Sequence, residues 1–227
     1  MPIPDVITID GPAGAGKSTL GERLARRLGY LYLDTGIMYR ALTLAALERG
    51  VDLHDVAATT ALARALDIQV RPPTVADGRQ YTVLLDGRDV TWDLRRPEVE
   101  RNVSLASSAP PVREVMRARQ RAIGKCGRVV MVGRDIGSVV MPDAPVKIYL
   151  EASVEERARR RVAELRDRGR PADAAKVRAE IIRRDRLDRH VSAPAPDAVI
   201  ISSDGLSPDE VAEQVLERIR QQAEASS

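Results

Sequence analysis

Gly11-Pro12-Ala13-Gly14-Ala15-Gly16-Lys17-Ser18 satisfies the pattern G-x-x-x-x-G-K-[ST] at every defined position. Its flanks agree with it. Val6-Ile7-Thr8-Ile9 reads as a short buried strand, and Leu20, Leu24 and Leu28 recur at helical spacing over Lys17 to Leu28. A strand, a glycine loop and a helix start direct several backbone N–H groups at one point, where the helix dipole adds positive potential. There Lys17 can bridge the β- and γ-phosphates of a nucleotide, and the Ser18 hydroxyl suits Mg²⁺. The stretch therefore predicts a nucleoside triphosphate site over Gly11 to Thr19. It leaves open what receives the phosphate.

The chain of 227 residues is long enough for one α/β domain with a smaller insertion. Phe is absent and only 3% of residues are aromatic, so the core is expected to come from Val, Ile, Leu, Ala and Met. Nearly every cation is Arg, with Lys at 17, 125, 147 and 176 alone, and Arg grips planar anions in bidentate fashion. A net charge of +3 without an aromatic-interleaved basic stripe argues against nucleic acid as a partner. Cys126 stands alone, which excludes a disulfide framework and suits a reducing compartment. His54 and His190 lack partners at zinc spacing, so no structural metal is expected. The chain enters its first strand without a signal peptide, and no apolar run reaches membrane-spanning length. These readings predict a soluble, cytoplasmic protein.

Strands and helices alternate along most of the chain, as a parallel sheet requires. Tyr30 to Leu33 reads as a second strand, and Ile37 to Glu48 as a helix with Tyr39, Leu42, Ala46 and Leu47 toward the core. Val56 to Leu66 is a further helix. Between 67 and 91 the pattern becomes an antiparallel meander turning at Asp86-Gly87. Pro97 to Ser108 and Val112 to Gly124 read as helices, with Pro110-Pro111 at the start of the second. Strands follow at 129–132, 146–150 and 198–201. Ser153 to Asp167 and Asp173 to Asp188 form a charged helical pair. Ser207-Pro208-Asp209-Glu210 opens the last helix as a capping box.

Ligands of open α/β sheets lie beyond the carboxyl ends of the strands. The polar residues there are Asp10 and the glycine loop, Asp34-Thr35, Arg134-Asp135 and Glu151-Ala152-Ser153, with Arg40 further along the helix after Thr35. Two arginines, two carboxylates and a hydroxyl suit a small, phosphorylated, polar acceptor. Arg157, Arg160 and Arg161 share a helix face, and Arg183, Arg184 and Arg186 follow on the next helix. Together they suggest a lid that gathers positive charge around a moving phosphate. Asp10 and Asp34 both stand at strand ends, and either one serves as a metal-side carboxylate or simply braces a loop.

Asp34-Thr35-Gly36-Ile37-Met38-Tyr39-Arg40, Gly133-Arg134-Asp135-Ile136-Gly137-Ser138-Val139-Val140, Pro142 to Ile148, Glu155-Glu156-Arg157-Ala158 and Arg184-Asp185-Arg186-Leu187-Asp188 resemble the bacterial cytidylate kinases. The likeness runs from about Val6 to the final helix. It implies a three-layer P-loop NTPase fold with a central parallel sheet, an inserted antiparallel β subdomain and a helical lid. It also implies a core domain over 1–34 and 110–227, a monophosphate-binding domain over 35–109 and a lid at 153–188. The implied reaction moves the γ-phosphate of ATP to CMP or dCMP, with Mg²⁺, in a monomer. On this likeness Thr35 lies beside the bound nucleotide, and Arg40 and Arg134 grip the CMP phosphate. Ser104, Arg113 and Asp135 contact cytosine, Arg184 and Arg189 add phosphate contacts, and Asp188 a sugar contact. Lys17, Arg134 and Arg184 are the implied catalytic set, with Arg157 and Arg161 on the ATP side. The segment Asp188 to Pro194 is shorter than the family pattern, and the role of Arg189 falls in that departure.

The base chemistry agrees. Cytosine offers an amino donor beside ring acceptors, so a carboxylate such as Asp135 and a guanidinium such as Arg113 have matching polarity. Three other classes stay open from the residues alone. A kinase of the same architecture acting on another monophosphate or an alcohol is one. A nucleotide-dependent switch is the second, although the guanine-reading Asn-Lys-x-Asp is absent. An arginine-rich nucleic-acid binder is the third.

Overall fold

The computed structural model describes residues 4–167, 169, 171–188 and 192–225, with Leu187, Asp188 and 222–225 described by backbone alone. The first strand, β1 (Val6–Asp10), is buried at every position and runs into the glycine loop. Helix α1 (Lys17–Leu28) follows, then β2 (Leu31–Asp34), α2 (Gly36–Glu48) and α3 (Val56–Ala65). The antiparallel strands β3 (Ile68–Arg71), β4 (Thr82–Leu85) and β5 (Arg88–Asp89) come next, then α4 (Pro97–Ser108) and α5 (Pro110–Lys125). The chain continues with β6 (Val129–Val132), β7 (Val146–Glu151), α6 (Val154–Asp167), α7 (Ala174–Asp188), β8 (Val199–Ser202) and α8 (Pro208–Ala225).

The main sheet has the order β2-β6-β1-β7-β8, and β3-β4-β5 form a separate antiparallel sheet. β1 pairs in parallel with both β6 and β7, with Ile9 opposite Val132 on one side and Ile148 on the other. β1 therefore occupies the middle of the sheet, and its continuous apolar run is what burial on both faces demands. Its central place sets the glycine loop at the sheet's carboxyl edge.

The chain divides into two compact units, 1–30 with 128–227, and 31–127. The second unit takes in β2 and α5 besides residues 35–109. Its core is built where α2 packs on α4 and α5 on α3 and α4. In the first unit α1 packs on β6, α8 on α1, and α6 on α7.

Local rules placed most elements. Asp86 and Gly87 both take left-handed backbone, φ 49° and 82°, as a tight two-residue hairpin turn requires. The Ser207 hydroxyl accepts from the Glu210 N–H at 3.3 Å, and the Glu210 carboxylate accepts from the Ser207 N–H at 2.8 Å. Two readings need correction. Leu47 is exposed, because α2 ends one residue later and Leu47 lies about 100° around the helix from Ala46. The core is not aliphatic alone: Tyr32, Tyr39, Tyr81 and Tyr149 are buried in it. Two short turns carried no periodic signal, a 3₁₀ turn at Asp93–Arg95 and a single π turn at Ile136–Val140.

Candidate active site

The glycine loop in the first unit is fixed by its carbonyls. Arg134 Nη1 donates to Gly11 O at 2.9 Å and Lys17 Nζ to Pro12 O at 2.7 Å. Arg157 Nη1 donates to Ala13 O at 3.1 Å. Ala15 O accepts from the Ser203 hydroxyl at 3.0 Å and from Arg160 Nη1 at 3.5 Å. Each of these four cations thus reaches a carbonyl of the loop, on a backbone whose glycines at 14 and 16 take left-handed φ values of 81° and 95°. That alternation builds the concave array of N–H groups that binds anions. Gly11 admits no side chain: at φ 144° an added Cβ would lie 2.1 Å from Leu150 O.

Arg157 is 4% exposed. Its Nε donates to Ala152 O at 3.1 Å, and its two η-nitrogens grip Asp185 Oδ1 and Oδ2 at 2.8 and 2.6 Å. A guanidinium has five N–H donors, and these contacts with Ala13 use four of them. Arg157 and Asp185 together thus tie α6 and α7 to the loop. Arg160 pairs with Glu156 at 2.7 Å and also meets Ser203. Arg161 turns outward to Glu164 and Arg183 to Glu180, so the arginines of α6 and α7 divide between loop-facing and solvent-facing positions. Arg184 is exposed on α7. The Asp188 side chain and Arg189 lie outside the described residues.

A cavity of about 380 Å³ lies against the loop, lined by Gly16, Thr19, Leu20, Arg160, Leu206 and Pro208 among others. Ser18 and Thr19 are exposed at the start of α1. A hydroxyl oxygen beside a phosphate cradle fits Mg²⁺, a hard cation that takes few protein ligands and keeps several waters.

Arg134 and Asp135 sit on the turn after β6. Gly133 N–H donates to Ile9 O at 3.1 Å, and Asp135 is buried, with its carbonyl accepting from Val139 and Val140 at 2.9 and 3.1 Å. Asp10, at the end of β1, accepts from Ile136 N–H at 2.8 Å and Gly137 N–H at 2.7 Å. Burial raises its pKa to about 6, nearby Asp135 pushes the same way, and the two N–H donors and Lys17 pull it down. Both Asp10 oxygens are committed to this turn.

In the second unit Asp34 Oδ1 accepts from Gly36 N–H at 3.0 Å and braces the start of α2. Thr35 is buried there. Arg40, on α2, pairs with Glu100 of α4. Arg113, at the start of α5, stacks 5.9 Å over the Tyr39 ring and donates to Ser107 O at 3.4 Å. Ser104 is exposed on α4. The unit thus brings Arg40 to α4, the helix of Ser104, and seats Arg113 on an aromatic face. Glu100, Asp185 and Ser203 were missed from sequence. Glu100 stands four residues before Ser104, and Asp185 lies inside the Arg184-to-Asp188 run, but neither has a local pattern that names its partner.

The sequence model of the cytidylate kinase family matches residues 7–221. A cytidylate kinase of Roseiflexus castenholzii is 65% identical over 227 residues, covering 100% of this chain and 98% of that one. Another of Chloroflexus aggregans is 59% identical, covering 96% and 95%. A third, of Herpetosiphon aurantiacus, is 54% identical, covering 99% and 98%. With a phosphate loop at the central strand of a parallel sheet and a match along nearly its whole length, the chain belongs to the cytidylate kinase family.

Proposed function

We propose that the protein transfers the γ-phosphate of ATP to CMP or dCMP, giving ADP and the corresponding diphosphate. The observation that carries this reading, beside family membership, is the glycine loop with its carbonyls held by Arg134, Lys17, Arg157 and Arg160. A phosphate is a stronger partner for these cations than a neutral carbonyl. Lys17 swings from Pro12 O to the donor phosphates, and the loop N–H groups hold them. The cavity beside Gly16 and Thr19 takes the donor base. The Ser18 hydroxyl would hold Mg²⁺, which would supply positive charge to the donor phosphates.

The acceptor's nucleophile is already a phosphate oxygen, so no strong general base is needed and transfer is in-line without a covalent intermediate. Arg40, Arg134 and Arg184 hold the acceptor phosphate, with Arg189 and the sugar contact Asp188 on the same segment. Thr35 lies beside the nucleotide. Asp135, with Arg113 and Ser104, reads cytosine: a carboxylate accepts from the N4 amino group and repels the O4 of uracil. Arg157 acts on ATP chiefly by shaping the loop, and Arg161 approaches with the lid helices. The protein works as a monomer in the cytoplasm.

The test is an ADP-coupled assay with CMP, dCMP, UMP, AMP and shikimate as acceptors. The expected result is preference for the cytidine nucleotides by a factor of about 10² or more. Preference for any other acceptor overturns the reading.

A further inference from the structure

Asp10 comes just before the glycine loop. Its two oxygens accept from consecutive backbone N–H groups, Ile136 at 2.8 Å and Gly137 at 2.7 Å. Those residues open the single π turn that follows Arg134 and Asp135. The same turn is pinned from two further directions. Gly133 donates to Ile9 O, and Arg134 to Gly11 O. At Gly137 an added Cβ would lie 2.8 Å from Thr8 Oγ1, so the turn is pressed directly on β1.

From this geometry we infer that Asp10 is a positioning residue: its carboxylate tethers the Arg134–Asp135 turn to the strand that launches the phosphate loop, fixing the acceptor-binding groups relative to the donor cradle. The inference rests on the assignment of Arg134 and Asp135 to the acceptor.

The chemistry explains why an aspartate is needed. Two N–H donors aimed at two oxygens require a group that only accepts, and an ionised carboxylate does. Asn offers one accepting oxygen and an amino group, and would set a donor against a donor. A protonated Asp has the same defect. The charged groups acting on this carboxylate are Lys17 from α1 and Asp135 from the turn itself. Tyr149 of β7 also lies within its electrostatic reach. Lys17 and the two amides favour the ionised form, burial and Asp135 the neutral one. A bound nucleotide, bringing more negative charge, would shift the balance further toward the neutral form.

The test reads the backbone amides rather than rates alone, because a phosphate monoester also ionises near pH 6. In ¹³C,¹⁵N-labelled wild-type protein, the Ile136 and Gly137 amide shifts are expected to titrate together, with a midpoint near the value of about 6 at Asp10. Asp10→Asn is expected to abolish that titration. It should raise the CMP KM about tenfold or more while the ATP KM moves less than about threefold. Ile136 and Gly137 amide shifts in the wild type that do not follow the titration of the Asp10 carboxyl carbon, wherever its midpoint lies, would overturn the inference. So would a variant that changes both KM values equally, or neither. The wild-type titration keeps the inference testable even where Asp10→Asn does not fold. If the wild-type protein fails to phosphorylate CMP, the functional reading falls, and the amide titration alone then judges the tether.

Discussion

Arg79 and Arg157 both have buried side chains, and their surroundings differ. In the antiparallel insertion Arg79 has a side chain only 6% exposed. It donates to Asp77, Asp89, Thr82 and Thr91, side chains without exception. Trp92 Nε1 closes the cluster on Asp77 at 2.8 Å. Beside the phosphate loop, Arg134, Arg157 and Arg160 each spend at least one donor on a loop carbonyl. The insertion's cation is answered by carboxylates and its charge is cancelled on the spot. The loop's cations hold the backbone in shape, and two of them, Arg157 and Arg160, also grip the carboxylates of Asp185 and Glu156. The two kinds of arginine thus differ in whether, beside any carboxylate, they also hold a carbonyl of the glycine loop.

The comparison breaks first at Lys17. Lys17→Ala removes one carbonyl tie and, on the proposed reading, the donor to the transferred phosphate. It is expected to lower kcat about 10³-fold with an unchanged circular dichroism spectrum and Tm. Near wild-type kcat would mean that the loop's cations serve shape alone. Asp135→Ala is the next largest. If Asp135 reads the base as proposed, the substitution should raise the CMP KM about 10²-fold and leave the ATP KM within about threefold. Initial-rate kinetics with each substrate varied in turn decides it, and an unmoved CMP KM would remove base recognition from this residue.

Much of this was readable in the sequence, for identifiable reasons. The period of α1, the alternation of β3, Asp86-Gly87 and the Ser207–Glu210 box are short-range patterns that act over a few residues. The glycine loop is equally local. The ties that shape it are not. Arg134 and Gly11 are separated by 123 residues, Arg157 and Asp185 by 28. No periodicity links such pairs. The sequence identified Asp10 and Asp34 as strand-end carboxylates but not their use. The contacts decide that, through Ile136 and Gly137 for one and Gly36 for the other. The π turn at Ile136–Val140 escaped because its five residues carry no distinguishing pattern, and Leu47 because a helix's last turn follows where the chain leaves rather than the apolar period.

On the structural side of the comparison, Arg79→Ala is expected to lower Tm by several degrees while kcat stays within about twofold. Arg79 holds Asp77 well below the usual carboxylate range, with Trp92 adding to it, and holds Asp89 near a pKa of about 2. Both folded-state values lie below the unfolded one of about 3.9. The stabilisation is therefore complete above about pH 4 and is lost as pH falls toward the folded values. Arg79→Ala should accordingly flatten the loss of Tm between about pH 4 and pH 2. A variant that melts as the wild type does at neutral pH would reduce the cluster to surface decoration.

The smallest effect tests the rule within the second unit itself. Arg40 is assigned to the acceptor phosphate, yet its partner here is a carboxylate, Glu100, as Arg79's are. The difference is exposure: the Glu100 side chain is 50% exposed and that of Arg40 26%. Such a pair contributes little and exchanges readily, so a phosphate dianion displaces Glu100 more easily than it would displace the carboxylates from Arg79, whose side chain is 6% exposed. Glu100 then competes with the acceptor for Arg40. Glu100→Gln keeps the shape and removes the competing charge, and it should lower the CMP KM about two- to fivefold at low salt, with the gain fading as salt screens the pair. A raised CMP KM would instead make Glu100 the residue that aims Arg40, and the line between the two kinds of arginine would then follow positioning rather than charge.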